Sequence, residues 1–424
     1  MSDRFDVMVV GAGPAGIAAA VRASEAGRSV ALLDDNPRAG GQIWRSGAPM
    51  PKSAQLWLSR LEKGRVMQFP GSRVFDCPKP GTLSVQSGDE AFSLNYDKLI
   101  LATGARELFL PFPGWTLPNV FGAGGLDAMV RGGLPVLGKR VVVAGTGPLL
   151  LAVAAHLVKR GAKIVALCEQ APFGRLAAFA SRLMVQPGKL LQGAAYRWAV
   201  RNATMHFGCW VSAAHGTETL ERVSLRQGEH DWTIDCDYLA CGYHLVPNTE
   251  LARLLGCRVN EGFVEVDELQ QTSQGDFFCA GEPTGIGGVE LALLEGEIAG
   301  LAAAGETRGA RALAARRRGM LGFVRALGEA YALDPKLRAL AQQETIVCRC
   351  EDVTLGAMRE RADWRDAKLH TRCGMGPCQG RICGAASTFI FGWKADSVRP
   401  PIFPAPVAGF MRAGASYNDS EEDL

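Results

Sequence analysis

The chain has 424 residues, of which 47% are hydrophobic and 21% charged, with a formal net charge of +3. That length suffices for a large core and roughly two to four domains. The near-balanced charge gives no basis for nucleic-acid binding or for adhesion to an anionic surface, and the absence of long low-complexity tracts excludes extensive disorder.

The first residues include Asp3, Arg4 and Asp6, so no signal peptide is visible. Phe5–Val10 is a Val-rich apolar run that reads as a buried strand. It leads into Gly11-Ala12-Gly13-Pro14-Ala15-Gly16, then an Ala-rich helix to Ala26 that Gly27 stops. Ser29–Leu33 is a second strand, ending at Asp34 and Asp35. Strand, turn, helix, strand and terminal acid make a complete nucleotide-binding βαβ unit. Gly11 allows the tight turn, Gly13 lets backbone approach a pyrophosphate, and Gly16 lets helix and strand pack closely. The helix N-terminus at Pro14 and Ala15 offers unpaired N–H groups to phosphate, and Asp34 is placed to accept a ribose hydroxyl.

Three later segments favour FAD over NAD. Gly40-Gly41-Gln42-Ile43 is a second glycine pair soon after the acid. Lys98–Thr103 is an apolar strand ending in Ala-Thr103-Gly104. Asp276–Glu282 is a strand and glycine turn, and a helix begins at about Val289, whose positive end can stabilise charge on a reduced flavin.

Between these landmarks the βαβ pattern recurs. Lys139–Ala144 is a strand, Gly145 and Gly147 open a turn, and a helix runs to about Arg160. A strand Lys163–Leu167 then ends at Glu169. The third glycine is replaced by Leu150, whose bulk is expected to force the helix away from the strand or alter the turn. Two readings stay open: a site for NAD or another adenine nucleotide, with Glu169 on the ribose, or an inherited domain that has lost hydride exchange. The longest apolar stretch, 141–155, is broken by this turn and too short to span a bilayer.

With these motifs in order, residues 1 to about 305 resemble the two-dinucleotide-domain flavoproteins that include the pyridine nucleotide–disulfide reductases. The resemblance implies an α/β fold, with an FAD domain built from 1–115 and 240–305 and an inserted NAD-type domain at 116–239. It implies that Gly281 and Glu282 face the ribityl chain. The chemistry of those reductases is not expected, because their paired cysteines are missing. Cys236 and Cys241, at an x4 spacing, flank an apolar run and read as packing residues. His244 and Glu290 fall near the flavin by position alone.

Residues 306–343 are rich in Ala, Arg and Leu at helical spacing and read as a helical linker, with Arg316-Arg317-Arg318 as a solvated face. Five of the twelve cysteines then fall between Cys348 and Cys383. Thiolates this dense hold metal or carry redox chemistry, and Cys348-Arg-Cys350 is less natural for zinc than for a [2Fe–2S] cluster. Zinc and a metal-free domain remain alternatives. Cys348, Cys350, Cys378 and Cys383 are the expected ligands. Gly374, Gly376 and Pro377 are expected to open a helix at Cys378, leaving Cys373 as the spare and His370 as structural. Arg349, Arg372 and Arg381 can offset cluster charge. The tail, 397–424, is held extended by its prolines and ends in Glu421-Glu422-Asp423-Leu424.

Val347–Thr354 and Thr371–Cys383 resemble the BFD-like [2Fe–2S] domain, taken here as 344–396. With Gly40–Arg45 and Gly114–Pro118, nearly the full length resembles the larger FAD-containing subunit of multi-subunit amino- and imino-acid dehydrogenases. Members act on hydroxyproline, proline, opines or glycine. The resemblance implies FAD and [2Fe–2S] cofactors and a hetero-oligomer. A partner FAD-containing subunit would oxidise the C–N bond, and a small ferredoxin-like subunit would assist. This chain would pass electrons to a respiratory or dye acceptor, in the cytoplasm or at a membrane through the complex. The alternative is an NADH-dependent flavin reductase donating to an iron–sulfur partner. A third is a scaffold whose flavin and cluster are structural.

Overall fold

A computed structural model describes residues 4–44, 50–182, 187–394 and 398–412. Arg45 and the acidic end 421–424 lie outside them. The chain forms two compact units. The first is Met1–Arg106, Pro247–Val324 and Ser397–Leu424; the second is Glu107–Val246 and Arg325–Asp396. The divisions fall at 106/107 and 246/247 rather than at 115 and 239. The physical reason lies in the packing: Leu108, Leu110, Phe112 and Trp115 share one core with Leu239, Cys241 and Tyr243.

In the first unit the strand Arg4–Val10 is flanked in parallel by Val30–Asp34 and by Glu90–Leu101, and Val66–Pro70 extends the edge. Glu90–Leu101 serves two partners in turn. Its first half pairs antiparallel with Thr82–Ser87, and Leu99–Leu101 pair in parallel with Phe277–Cys279. The Val, Ile and Leu residues of these strands are buried on both faces, as a parallel sheet between covering layers requires. Pro14–Glu25 begins with a proline at its first turn and is buried along its alanines. It crosses Val289–Ala303 so closely that a Cβ on Gly296 or Gly300 would overlap the carbonyl oxygens of Ala15 and Ala19. The expected extended tail includes a short helix, Val407–Arg412, whose Phe410 ring meets Phe75 edge-on.

The second unit holds a five-stranded parallel sheet. Its order is Thr204–Phe207, Lys163–Glu169, Arg140–Gly145, Tyr238–Gly242 and Val120–Gly122. An antiparallel sheet of Cys209–His215, Arg222–Gln227 and His230–Asp235 accompanies it. The cysteine segment is small: a hairpin of Ile346–Cys348 with Val353–Thr354, then helices Leu355–Arg359, Trp364–Thr371 and Cys383–Phe391. Asp363 caps the middle helix through the Asp366 N–H at 2.8 Å. Val347, Leu355, Met358 and Trp364 supply its core. The indole N–H of Trp115 donates to the Ile346 carbonyl at 2.6 Å and fixes this hairpin within the unit. Among the described residues no helix is long and apolar enough to cross a membrane.

Candidate cofactor sites

The first unit builds a nucleotide cradle from the glycine turn outward. Gly11 sits at φ +106°, and a Cβ there would overlap the Ala102 carbonyl. A Cβ on Gly16 would overlap the Gly11 carbonyl, so only glycine lets the Pro14–Glu25 helix start this close to its strand. Gly13 and Gly41 face each other backbone to backbone, where a Cβ on Gly41 would lie 2.8 Å from the Gly13 Cα. Gly40 N–H donates to the Ala12 carbonyl at 2.8 Å, which locks the second glycine pair against the first turn. Gln42 belongs to the short helix Gly41–Trp44.

Asp34 ends its strand as expected, but both of its carboxylate oxygens brace the neighbouring backbone. Oδ2 accepts from the Ala12 N–H at 2.6 Å, and Oδ1 accepts from the Asn36 N–H at 2.8 Å. Asp35 lies outward, 3.7 Å from Arg73. Thr103 and Asn248 clasp the strand end: the Thr103 hydroxyl donates to the Asn248 carbonyl at 2.6 Å, and the Asn248 amide donates to the Thr103 carbonyl at 2.9 Å. Gly104 comes next at φ +67°.

Glu282 is the group that asks for a ligand. Its Oε2 is buried with no hydrogen-bond partner. Desolvation pushes its carboxyl up to about 7, the neighbouring Glu295 pushes the same way, and the Gly288 and Gly287 N–H groups oppose both. A buried acceptor left unpaired is costly unless a polar group arrives to meet it. The hydroxyls of a ribityl chain are such groups, and the helix from Val289 starts beside it. This donor set and the glycine cradle fit FAD.

The turn before Glu282 is held by a residue that the sequence pattern did not single out. Glu295, 1% exposed, accepts from the Gly281 N–H at 3.0 Å and from the Thr284 hydroxyl at 2.9 Å. It is neutralised by Arg317 Nε at 2.7 Å. Arg317 is therefore no solvated residue, although Arg318, paired with Glu268, is exposed. The helical spacing of 316–318 put one arginine inward, and a buried Glu on the preceding helix was the signal for it.

In the second unit Gly145 and Gly147 open the second turn at positive φ. The Glu169 carboxylate turns inward, accepting from the Thr146 hydroxyl at 2.7 Å, the Gly147 N–H at 2.8 Å and the Ala171 N–H at 2.9 Å. Leu150, in the third glycine's place, is buried. Cys236 and Cys241 are buried free thiols. His244 donates to the Tyr331 carbonyl within this unit.

The cysteines gather in two subsets. The sulfurs of Cys348, Cys373 and Cys383 lie within 4.8 Å of one another and are buried. Cys350 is exposed and Cys378 half-buried, and these two interact with each other. Of the four expected ligands the fold thus joins Cys348 to Cys383 and Cys350 to Cys378, while Cys373 stands beside the first pair. The Cys348 thiol is held down to about 2 because Cys373 and then Cys383 donate to it, with the Gly374 N–H helping at 3.4 Å. Cys373 is pushed up to about 12 by that same donation to Cys348. The helix expected to open at Cys378 opens at Cys383 instead. Gln379 at φ +51° and Gly380 at φ +76° turn the chain left-handed and delay it. His370 is exposed and lies on Asp366, apart from the sulfurs. Arg372 is spent on Glu351, and Arg381 donates to the Cys378 carbonyl at 3.2 Å. Four thiolates from this group fit a [2Fe–2S] cluster.

Residues 5–304 match the pyridine nucleotide-disulphide oxidoreductase family. The chain is similar to the hydrogen cyanide synthase subunit HcnB of Pseudomonas aeruginosa, at 31% identity over 96% of this chain and 98% of that protein. It is also similar to an opine oxidase subunit from Agrobacterium tumefaciens, at 30% identity over 94% of this chain and 88% of that one. In fold it resembles the L-proline dehydrogenase of P. horikoshii, with a TM-score of 0.68 at 19% identity, over 96% of this chain and 79% of that one.

Proposed function

We propose, for a chain that belongs to the pyridine nucleotide-disulphide oxidoreductase family, that it is the FAD- and [2Fe–2S]-carrying electron-transfer subunit of a multi-subunit dehydrogenase of amino or imino acids. The single observation that carries the reading is the presence in one chain of both a flavin cradle, in which Glu282 Oε2 is buried without a partner, and a five-cysteine group. The substrate-oxidising step belongs to a partner flavoprotein subunit, with a small ferredoxin-like subunit as a further partner. FAD can take electrons as a pair and release them singly, and an iron–sulfur cluster passes them singly, so the two together would join a C–N oxidation to a respiratory or dye acceptor.

The chain's own residues do the holding. Gly11, Gly13 and Gly16 with the helix at Pro14 and Ala15 seat the pyrophosphate, and Asp34 meets the ribose. Glu282 pairs a ribityl hydroxyl. The N-terminus of the Val289 helix would offer its positive end to a bound flavin and favour added negative charge. Cys348, Cys350, Cys378 and Cys383 hold the cluster, with its solvent side at Cys350.

The test is stopped-flow bleaching of the flavin in this chain alone and in its co-purified complex. The expected result is no rapid bleaching of the isolated chain by NADH, and bleaching in the complex by its amino- or imino-acid substrate. Rapid reduction of the isolated chain by NADH would overturn the relay reading in favour of a flavin reductase.

A further inference from the structure

Dinucleotides in open α/β sheets lie across the carboxyl ends of neighbouring parallel strands. In the second unit these strands are Lys163–Glu169, Arg140–Gly145 and Tyr238–Gly242, side by side. The residues just past their ends include Gln170, Thr146 and His244. All three meet one short stretch of the same chain, Tyr331–Asp334.

The stitching is specific. His244 Nε2 donates to the Tyr331 carbonyl at 2.8 Å, and the Thr146 hydroxyl lies 3.4 Å from the same oxygen. The Gln170 amide donates to the Ala332 carbonyl at 3.2 Å and accepts from the Asp334 N–H at 3.0 Å. Arg175 adds a second donor to the Ala332 carbonyl at 2.9 Å. The Tyr331 ring stands edge-on to Phe179 with centroids 5.9 Å apart. His244 reaches its partner at φ +101°, a conformation that a non-glycine residue keeps only when its surroundings hold it there.

The groups that would receive a nucleotide are also spoken for. Both terminal acids brace their own turns, but Asp34 takes the Ala12 N–H whereas Glu169 takes that of Gly147, the glycine that would approach the pyrophosphate. Next along the sheet, the N-terminus of the helix Ala123–Arg131 is filled by the Glu107 carboxylate, which accepts from Gly124 at 2.7 Å and Gly125 at 3.0 Å. A carboxylate thus already takes the N–H of the turn glycine, and a second fills the neighbouring helix N-terminus.

We propose that Tyr331–Asp334 and the inward-turned Glu169 are the standing occupants of this crevice, so that the second domain takes no dinucleotide. This goes beyond the relay reading, since a relay subunit could still bind NAD without being reduced by it.

The experiment uses the FAD-loaded full chain, titrated calorimetrically with NAD+, and follows hydrogen exchange at residues 146–147 and 331–334. NAD+ has no hydride to give, so uptake is read separately from flavin reduction. The expected result is no saturable uptake at millimolar NAD+, with slow, unchanged exchange at Gly147 and Asp334. Uptake accompanied by exchange changes confined to other segments also leaves the crevice closed and supports the proposal. Stoichiometric uptake with at least tenfold altered exchange at Gly147 and Asp334 overturns it. Flavin bleaching by NADH without that exchange change would sink the relay reading alone.

Discussion

Arg317→Met tests the buried pair behind the flavin turn. The Glu295 side chain is 1% exposed and Arg317 13% exposed, at 2.7 Å. Removing the cation leaves a buried carboxylate without its counter-charge, which costs about 3–5 kcal/mol. For a unit of 150–250 residues each kcal/mol moves Tm by about 2–4 °C, so a fall of roughly 10 °C is expected. The sign of the pH dependence comes from the carboxyl. Burial already raises the Glu295 pKa, while Arg317 and its hydrogen bonds oppose that. Without Arg317 the pKa rises further above its unfolded value. The variant's penalty is then full at pH 8 and shrinks as the pH falls toward the ordinary carboxyl range, where the folded state gains by taking up the proton. The assay is thermal unfolding of wild type and variant at pH 8 and pH 5.5, with flavin absorbance recorded alongside. The second substitution Glu295→Gln, placed on Arg317→Met, should recover part of the loss. A Tm change under about 1 °C, or one indifferent to pH, would refute the reasoning.

Gly16→Ala should abolish stoichiometric FAD, because its Cβ overlaps the Gly11 carbonyl; the ratio of flavin to protein absorbance measures it. In the flavin-free chain, Glu282 raised from 4.5 to about 7 should cost up to about 3 kcal/mol as pH rises from 4.5 through 7. Glu282→Gln should flatten that slope, and equal denaturant midpoints for the two proteins at both pH 5 and pH 8 would contradict it. Cys373→Ala should retain the [2Fe–2S] EPR signal and iron content, whereas Cys350→Ala should lose both; loss in the first would move Cys373 into the ligand set. Trp115→Phe removes the indole donor to the Ile346 carbonyl and should lower stability by about 1–3 kcal/mol, read by urea denaturation.

Much of the fold was legible because its elements obey local rules. Arg4–Val10, Pro14–Glu25 and Val30–Asp34 arise from an apolar run, a proline at a first turn and a terminal acid, all within one short stretch. The helix from Val289 likewise starts at the expected residue. The unit boundaries were less legible, since residues up to 115 read as part of the FAD domain and only the long-range partners Leu239 and Tyr243 place Leu108 to Trp115 in the second core. The role of Arg317 was hidden for the same reason. A triplet of arginines looks solvated until a carboxylate far along the fold selects one of them.

The cysteine group shows the limit of spacing as a guide. Spacing counts residues along the chain, whereas ligand sets depend on where left-handed turns return the sulfurs. Gln379 and Gly380 delay the last helix until Cys383, so Cys383 rather than Cys378 stands at its N-terminus. Cys373, although set aside by its place before the glycine loop, returns beside Cys348 because Arg372 and Gly374 are both left-handed and fold the loop inward. The exposed Cys350 and half-buried Cys378 form the other subset. A cluster held by Cys348, Cys350, Cys378 and Cys383 therefore has a buried side that solvent cannot reach and an open side at Cys350. Electron transfer falls steeply with distance, so with that proposed ligand set a redox partner would gain most by approaching at the exposed Cys350.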